Sequence, residues 1–261
     1  ASITSNSDAQ QAMADLNAPE SLYKKSKRTD ERNLIIEAKD NYGYQLAFDN
    51  TQLQAIDNGK ILGLFANSAM KNGIDYHACK NDNTCSQPSL AQMTNKALDI
   101  LSQDPDGFFL MIEGGQIDWA GHVNDAGWML HELLKFDEAI AAVYDWVKDR
   151  QDTLVIITAD HETGSFGFSY SRNNLPEEKI LDGDGMQGRS YKPNFNFGAL
   201  SHLDKLYQQT GTFYDMMAQV SSSWDFTNTS ASQWMDAINH FSQFKVTLDK
   251  AQPITEREAN E

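Results

Sequence analysis

The stretch EGGQIDWAGH, positions 113 to 122, sets Glu113, Asp118 and His122 at offsets of five and four, and ADH at 159 to 161 adds Asp160 and His161. Carboxylate oxygens mixed with imidazole nitrogens are donors that zinc accepts, and a neighbouring position richer in carboxylate suits magnesium. Asp118 and His122 stand four apart, so one helical turn there would carry both on the same face. Each piece also has an ordinary structural reading. Glu113 could be a strand-end carboxylate bonded to backbone amides, Asp118 and His122 a surface helix pair, and Asp160 and His161 a cap beside a packed imidazole. What favours a metal-binding cleft is that all five follow two apolar runs. His77, His131, His202 and His240 lack such company and read as structural.

The elements that must position these residues are legible from the pattern. GFFLMIEGG, ending in Glu113, is almost wholly apolar and bounded by glycines, the pattern of a central strand covered on both faces. TLVIITADHETG reads as a second buried strand. Between them, NDAGWMLHELLKFDEAIAAVYDWVKDR carries Met129, Leu133, Ile140, Val143 and Val147 along one helical side. Strand, long helix, strand is the crossover unit of a mostly parallel sheet, and ligands collect at the carboxyl ends of such strands. Both acidic clusters lie at those ends.

Further upstream, YGYQLAF and KILGLFA read as strands flanking a short helix in NTQLQAIDNG that stops at Gly59. PSLAQMTNKALDILSQ reads as a helix capped by Ser89, with Leu90, Met93, Ala97 and Leu101 on its buried face and DPDG as the closing turn. The polar start, with its basic patch YKKSKR, carries no chemical signal. Beyond Tyr170 the text turns polar and turn-rich, with weak helical patterns near 201–209, 212–222 and 231–243. Phe195, Phe197, Tyr207, Phe213, Trp224 and Trp234 imply that this excursion packs on something.

The chain has 261 residues, 40% of them hydrophobic, enough for one sizeable core or a core plus an appendage. Lys plus Arg number 21 against 37 Asp plus Glu, a net charge of −16, which argues against a nucleic-acid-binding surface or an anionic membrane as partner. No run approaches the roughly 20 apolar residues of a membrane span, and the first ten residues have no signal-peptide pattern. Cys79 and Cys85, in HACKNDNTC, are close enough for a disulfide that would stabilise by only about 2 kcal/mol and favour an oxidising compartment. The rival is zinc on His77, Cys79 and Cys85, for which no fourth ligand is at hand.

These residues resemble the alkaline phosphatase family, specifically the large-insert type of marine bacteria. The resemblance is carried by GYQLAF, ILGLFA, QPSLAQMTNKALDILS, DGFFLMIEGGQIDWAGHVNDAGWMLHELLKFDEAI and TLVIITADHETGSFGFSYS, which together cover most of residues 42 to 170. It implies an α/β fold, a three-layer sandwich around a mostly parallel central sheet that is incomplete here. Residues 1–170 would form part of the core and 171–261 a large insertion. It further implies two zinc ions and one magnesium hydrolysing phosphate monoesters through a phosphoserine. Glu113 would hold the magnesium, Asp118 and His122 the first zinc, Asp160 and His161 the second. Trp119 stands where relatives place a lysine or histidine near the phosphate, and would border the substrate or simply pack. A homodimer in a periplasmic or secreted setting is implied as well.

The family's Asp-Ser-Ala nucleophile stretch, its opening GDGMG-like turn and its late Gly-x-His-x-x-x-Pro are not in this sequence; GDGM at 183–186 lies in the polar excursion. The serine and remaining ligands are thus expected from N- and C-terminal segments of the same protein outside these residues, and the 261 residues alone are expected to be inactive. Two alternatives stand beside this reading: a noncatalytic metal-binding fragment, and another hydrolase of the superfamily, a phosphodiesterase, sulfatase or phosphomutase.

Overall fold

A computed structural model describes residues 6–23, 28–30, 32–82, 84–165, 167, 170, 172, 175–196 and 198–248. Most of the basic patch, Lys24 to Lys27, and the aromatic Phe197 lie outside them. The chain divides into two compact units, one of residues 1–117 with 128–158, the other of 118–127 with 159–261.

In the first unit α1 (Asn6–Asp15) and a single 3-10 turn (Glu20–Leu22) precede α2 (Leu34–Tyr42). Asn33 caps α2 by accepting from the amides of Ile35 and Ile36, and Gly43 ends it in the left-handed region at φ 73°. The strands β1 (Gln45–Ala47) and β2 (Ile61–Gly63) pair in parallel, with Gln45 opposite Ile61 and Ala47 opposite Gly63. Between them runs α3 (Asn50–Gln54), capped by Asp49. This is the strand, helix, strand order the pattern implies. Ala47, Leu53 and Ile56 form its core with Ile61, Phe65, Met93 and Ile100, while Phe48 packs with Met13, Ala18 and Leu22.

Next come α4 (Gly73–Asn81) and α5 (Leu90–Leu101), the latter opened by a reciprocal capping box of Ser89 and Gln92. Lys96 on α5 is buried, and its ammonium donates to the carbonyls of Gln54 and Ile56 at the end of α3. Cys79 and Cys85 are joined in a disulfide. α6 (Gln116–His122) and the long α7 (Ala126–Val147) follow. Gly73, at the start of α4, lies so close to His131 that an added Cβ would stand 2.7 Å from that residue's Cβ. Its amide donates to the Glu132 carboxylate, which also accepts from Trp128 Nε1 at 2.9 Å and Lys135 Nζ at 2.8 Å. His77 and His131 stack obliquely, rings 5.2 Å apart.

Two expectations are corrected here. Among the described residues the runs at 108–112 and 154–158 belong to no ladder, and Phe109, Met111, Leu154 and Ile156 are 90%, 75%, 84% and 75% exposed. Apolar content gives a segment its preference for burial, but a strand exists only where a neighbour supplies partners for its amides and carbonyls. Among the described residues the sheets are two-stranded pairs. The buried side of α7 is also not the one the apolar spacing implies. Trp128, His131, Glu132 and Ala139 are buried, whereas Leu133 is exposed. Apolar residues occur nearly all round this helix, so periodicity does not select a face, and the Glu132 bonds do.

In the second unit β3 (Lys179–Ile180) pairs antiparallel with β4 (Ser190–Tyr191) across a glycine-rich turn. Three helices follow, α8 (Ser201–Tyr207), α9 (Phe213–Val220) and α10 (Ala231–Phe241), near the weak helical patterns in the sequence. Thr212 with Asp215 and Ser230 with Gln233 make capping boxes at α9 and α10. Met216, Val220, Phe226, Trp234 and Ala237 form the core, with Phe213 packed against it. Of the other aromatic residues expected to pack, Trp224, Phe195 and Tyr207 are about half exposed, although Trp224 keeps edge contact with Phe226 and Phe195 a tilted contact with Tyr170. His202 lies against Phe244 and His240 against Phe241. Among the described residues no helix is long and apolar enough to cross a membrane.

Candidate metal centre

The seven residues of α6 carry Asp118 in the first turn and His122 in the last. Their four-residue spacing puts them on one face, with His122 Nε2 3.4 Å from Asp118 Oδ2. The helix ends in a Schellman closure. Asn124 is left-handed at φ 53°, its amide donates to the Gly121 carbonyl, and the Asp125 amide donates to the Ala120 carbonyl, both at 3.0 Å.

Two glycines allow the segment after the second apolar run to lie directly on this helix. A Cβ on Gly121 would stand 3.2 Å from the Cβ and carbonyl oxygen of Thr163, and one on Gly164 would collide with the Gly121 carbonyl. Gly164 also has φ +73°, a conformation a Cβ disfavours. Through this approach the Thr163 hydroxyl donates to Asp118 Oδ1 at 2.6 Å and lies 3.1 Å from His161 Nδ1.

His161 Nδ1 is also 3.0 Å from the Glu162 carbonyl. A carbonyl only accepts, so Nδ1 carries a proton and the neutral ring presents its lone pair at Nε2, 3.5 Å from Asp160 Oδ2. That Glu162 carbonyl, followed by the charges of Asp160 and Asp118, holds the His161 pKa above the ordinary imidazole value. An imidazole whose outer nitrogen is tied to a carbonyl is oriented as in a metal site.

The expected site residues therefore stand as follows. Asp118 and His122 form one carboxylate–imidazole pair, Asp160 and His161 another, and Thr163 links the two. Glu113 belongs to the first unit, where its side chain folds back over Gly115. Trp119 is half exposed beside Asp118. Among the described residues no group of three His, Cys, Asp or Glu side chains is gathered closely enough to hold a metal ion. Each pair thus supplies two donors of the kinds zinc takes, and the chemistry of the donors and the tautomer of His161 fit that ion. Sequence reading missed Thr163, Gly121 and Gly164. The only signal was their place inside WAGH and HETG, and neither string reveals that the two segments touch.

The alkaline phosphatase family matches residues 8–243. Alkaline phosphatase 3 of Bacillus subtilis is 43% identical over 136 residues, covering 52% of this chain and 28% of its own length. The solved structure of a cold-active alkaline phosphatase from a psychrophilic Shewanella matches with a TM-score of 0.55 and 26% identity, over 83% of this chain and 44% of the other. The Thermus thermophilus alkaline phosphatase matches in fold with a TM-score of 0.62 at 23% identity, over 94% of this chain and 47% of the other. The chain thus spans less than half the length of these relatives.

Proposed function

Since the chain belongs to the alkaline phosphatase family and shares its fold, we propose that the protein containing it hydrolyses phosphate monoesters with metal ions held in part by the residues described above. The observation that carries this reading is the pairing of Asp118 with His122 and Asp160 with His161, joined through Thr163, inside the matched segment. Asp118 and His122 would hold one zinc, Asp160 and His161 a second, and Glu113 a magnesium. When bound, such ions supply positive charge at the phosphate and lower the pKa of a bound water to about 7. They would also offset the chain's net charge of −16, which otherwise repels a phosphate dianion.

The chain's own side chains prepare these positions. Thr163, by donating to Asp118 Oδ1, fixes that carboxylate and leaves Oδ2 toward His122. The Glu162 carbonyl keeps the proton of His161 on Nδ1, away from the ligating nitrogen. Trp119, next to Asp118 and half exposed, would wall the approach of substrate.

The nucleophilic serine, and the ligands that complete each site, are assigned to segments of the same protein outside these 261 residues, because the sequence contains no Asp-Ser-Ala stretch. That composition favours a second reading for the chain by itself, a metal-binding fragment without turnover. A homodimer in the periplasm or outside the cell is the assembly and location proposed, the latter supported by the Cys79–Cys85 disulfide. Hydrolysis of p-nitrophenyl phosphate by the intact protein before and after chelation tests the main reading. Activity should vanish with chelator and return with zinc plus magnesium; a rate indifferent to chelation would contradict it.

A further inference from the structure

Asp125 is fully buried, yet no ligand role attaches to it. Its backbone and side chain do different things. The amide closes the end of α6 by donating to the Ala120 carbonyl, three residues after His122. The carboxylate points to another part of the second unit. Oδ1 accepts from Gln209 Nε2 at 2.8 Å, and Oδ2 accepts from the amide of Phe213 at 2.7 Å.

Phe213 is the first residue of α9, where amides have no partner within the helix and the dipole favours negative charge. Gln209 is itself buried, and its Nε2 also donates to the Gly211 carbonyl at 2.9 Å. Gly127 leaves the room this needs, since a Cβ there would run into the Gln209 amide group. One buried carboxylate therefore joins the cap of the ligand-bearing helix to the QTGTF turn between α8 and α9.

We propose that Asp125, with Gln209, is a positioning residue for His122 and Asp118, by which the region beyond residue 200 sets the metal affinity of α6. This rests on the proposed metal role of Asp118 and His122. The physical reason is the Schellman closure. His122 is the last helical residue, and the bond holding that turn ends on the backbone of Asp125. Anything that moves Asp125 moves the turn that fixes the His122 backbone. Both carboxylate oxygens face donors, so Asn in place of Asp presents an N–H to one of them. Ala in place of Gln209 removes one donor and leaves the other bond intact.

The test compares zinc affinity, by competition with a chromophoric chelator on the intact protein, for wild type, Asp125→Asn, Gln209→Ala and the control Val220→Ala. Val220 is buried in the same unit's core and makes none of these bonds, so its truncation reports generic destabilisation. The expected result is zinc binding about tenfold weaker in Asp125→Asn and Gln209→Ala, the scale of losing an outer-shell partner. Amide exchange over 118–124 should quicken in both, while Val220→Ala melts at a lower temperature with wild-type zinc affinity. If Asp125→Asn does not fold, Gln209→Ala decides. Unchanged zinc affinity in folded Gln209→Ala, or an equal loss in Val220→Ala, overturns the inference alone. A wild-type protein that takes up no zinc overturns the metal reading and this inference with it.

Discussion

Thr163 Oγ1 donates to Asp118 Oδ1 at 2.6 Å, joining residues 45 apart in sequence. The same oxygen lies 3.1 Å from His161 Nδ1, so one hydroxyl orients a side chain from each of the two carboxylate–imidazole pairs. Thr163→Val keeps the branched shape and removes the hydroxyl. It should weaken zinc binding by about tenfold, and Thr163→Ser should restore most of it. Equilibrium dialysis against buffered zinc makes the measurement. Equal affinity in the Val variant would remove Thr163 from the account.

Gly164→Ala should be more damaging than any substitution at the surface nearby. The added Cβ meets the Gly121 carbonyl, and the backbone sits at φ +73°. Relieving that contact separates the 160–163 segment from α6, at a cost of about 1–3 kcal/mol or more. Gly167→Ala is the control, because a Cβ there meets nothing within 4 Å. Denaturant unfolding with zinc titration of both variants checks this. Similar stability and zinc affinity in the two would mean that the glycine contact does not hold the pairs together.

Local signals in the sequence translated well into structure. Ser89 caps α5 as its position suggests, and β1, α3 and β2 follow in the order the pattern implies, although α3 ends at Gln54 and not at Gly59. What failed was long-range. The apolar run before Glu113 reads as a buried strand, but residues 108–112 have no ladder partner among the described residues, and no local pattern announces one. The buried face of α7 follows the Glu132 carboxylate and its bond to the amide of Gly73, 59 residues away, not apolar spacing. Within the candidate site, residues adjacent in sequence are legible and those joined only in space, Thr163 and Asp125, are not.

The segment from 171 to 261 is proposed to act as an insertion that covers a partner subunit's cleft or forms a subunit contact, since it carries its own core around Trp234. Removing it from the intact protein should convert a dimer to monomers, or raise KM, as read by light scattering and by steady-state kinetics at saturating zinc, which offsets the loss of the Gln209 and Phe213 bonds to Asp125. An unchanged dimer with unchanged kinetics would refute this role.

Asp160→Ala gives the most direct measurement of the central claim. Asp160 is exposed, and its carboxylate lies 3.5 Å from His161 Nε2, so its truncation costs little packing. If the pair holds zinc, the intact variant should lose about one zinc per chain by atomic absorption. Its turnover of p-nitrophenyl phosphate should fall further than the roughly 10–100-fold of an outer-shell loss. Circular dichroism should stay that of wild type. Full zinc content with a wild-type rate would contradict the assignment of Asp160 and His161 to a metal centre.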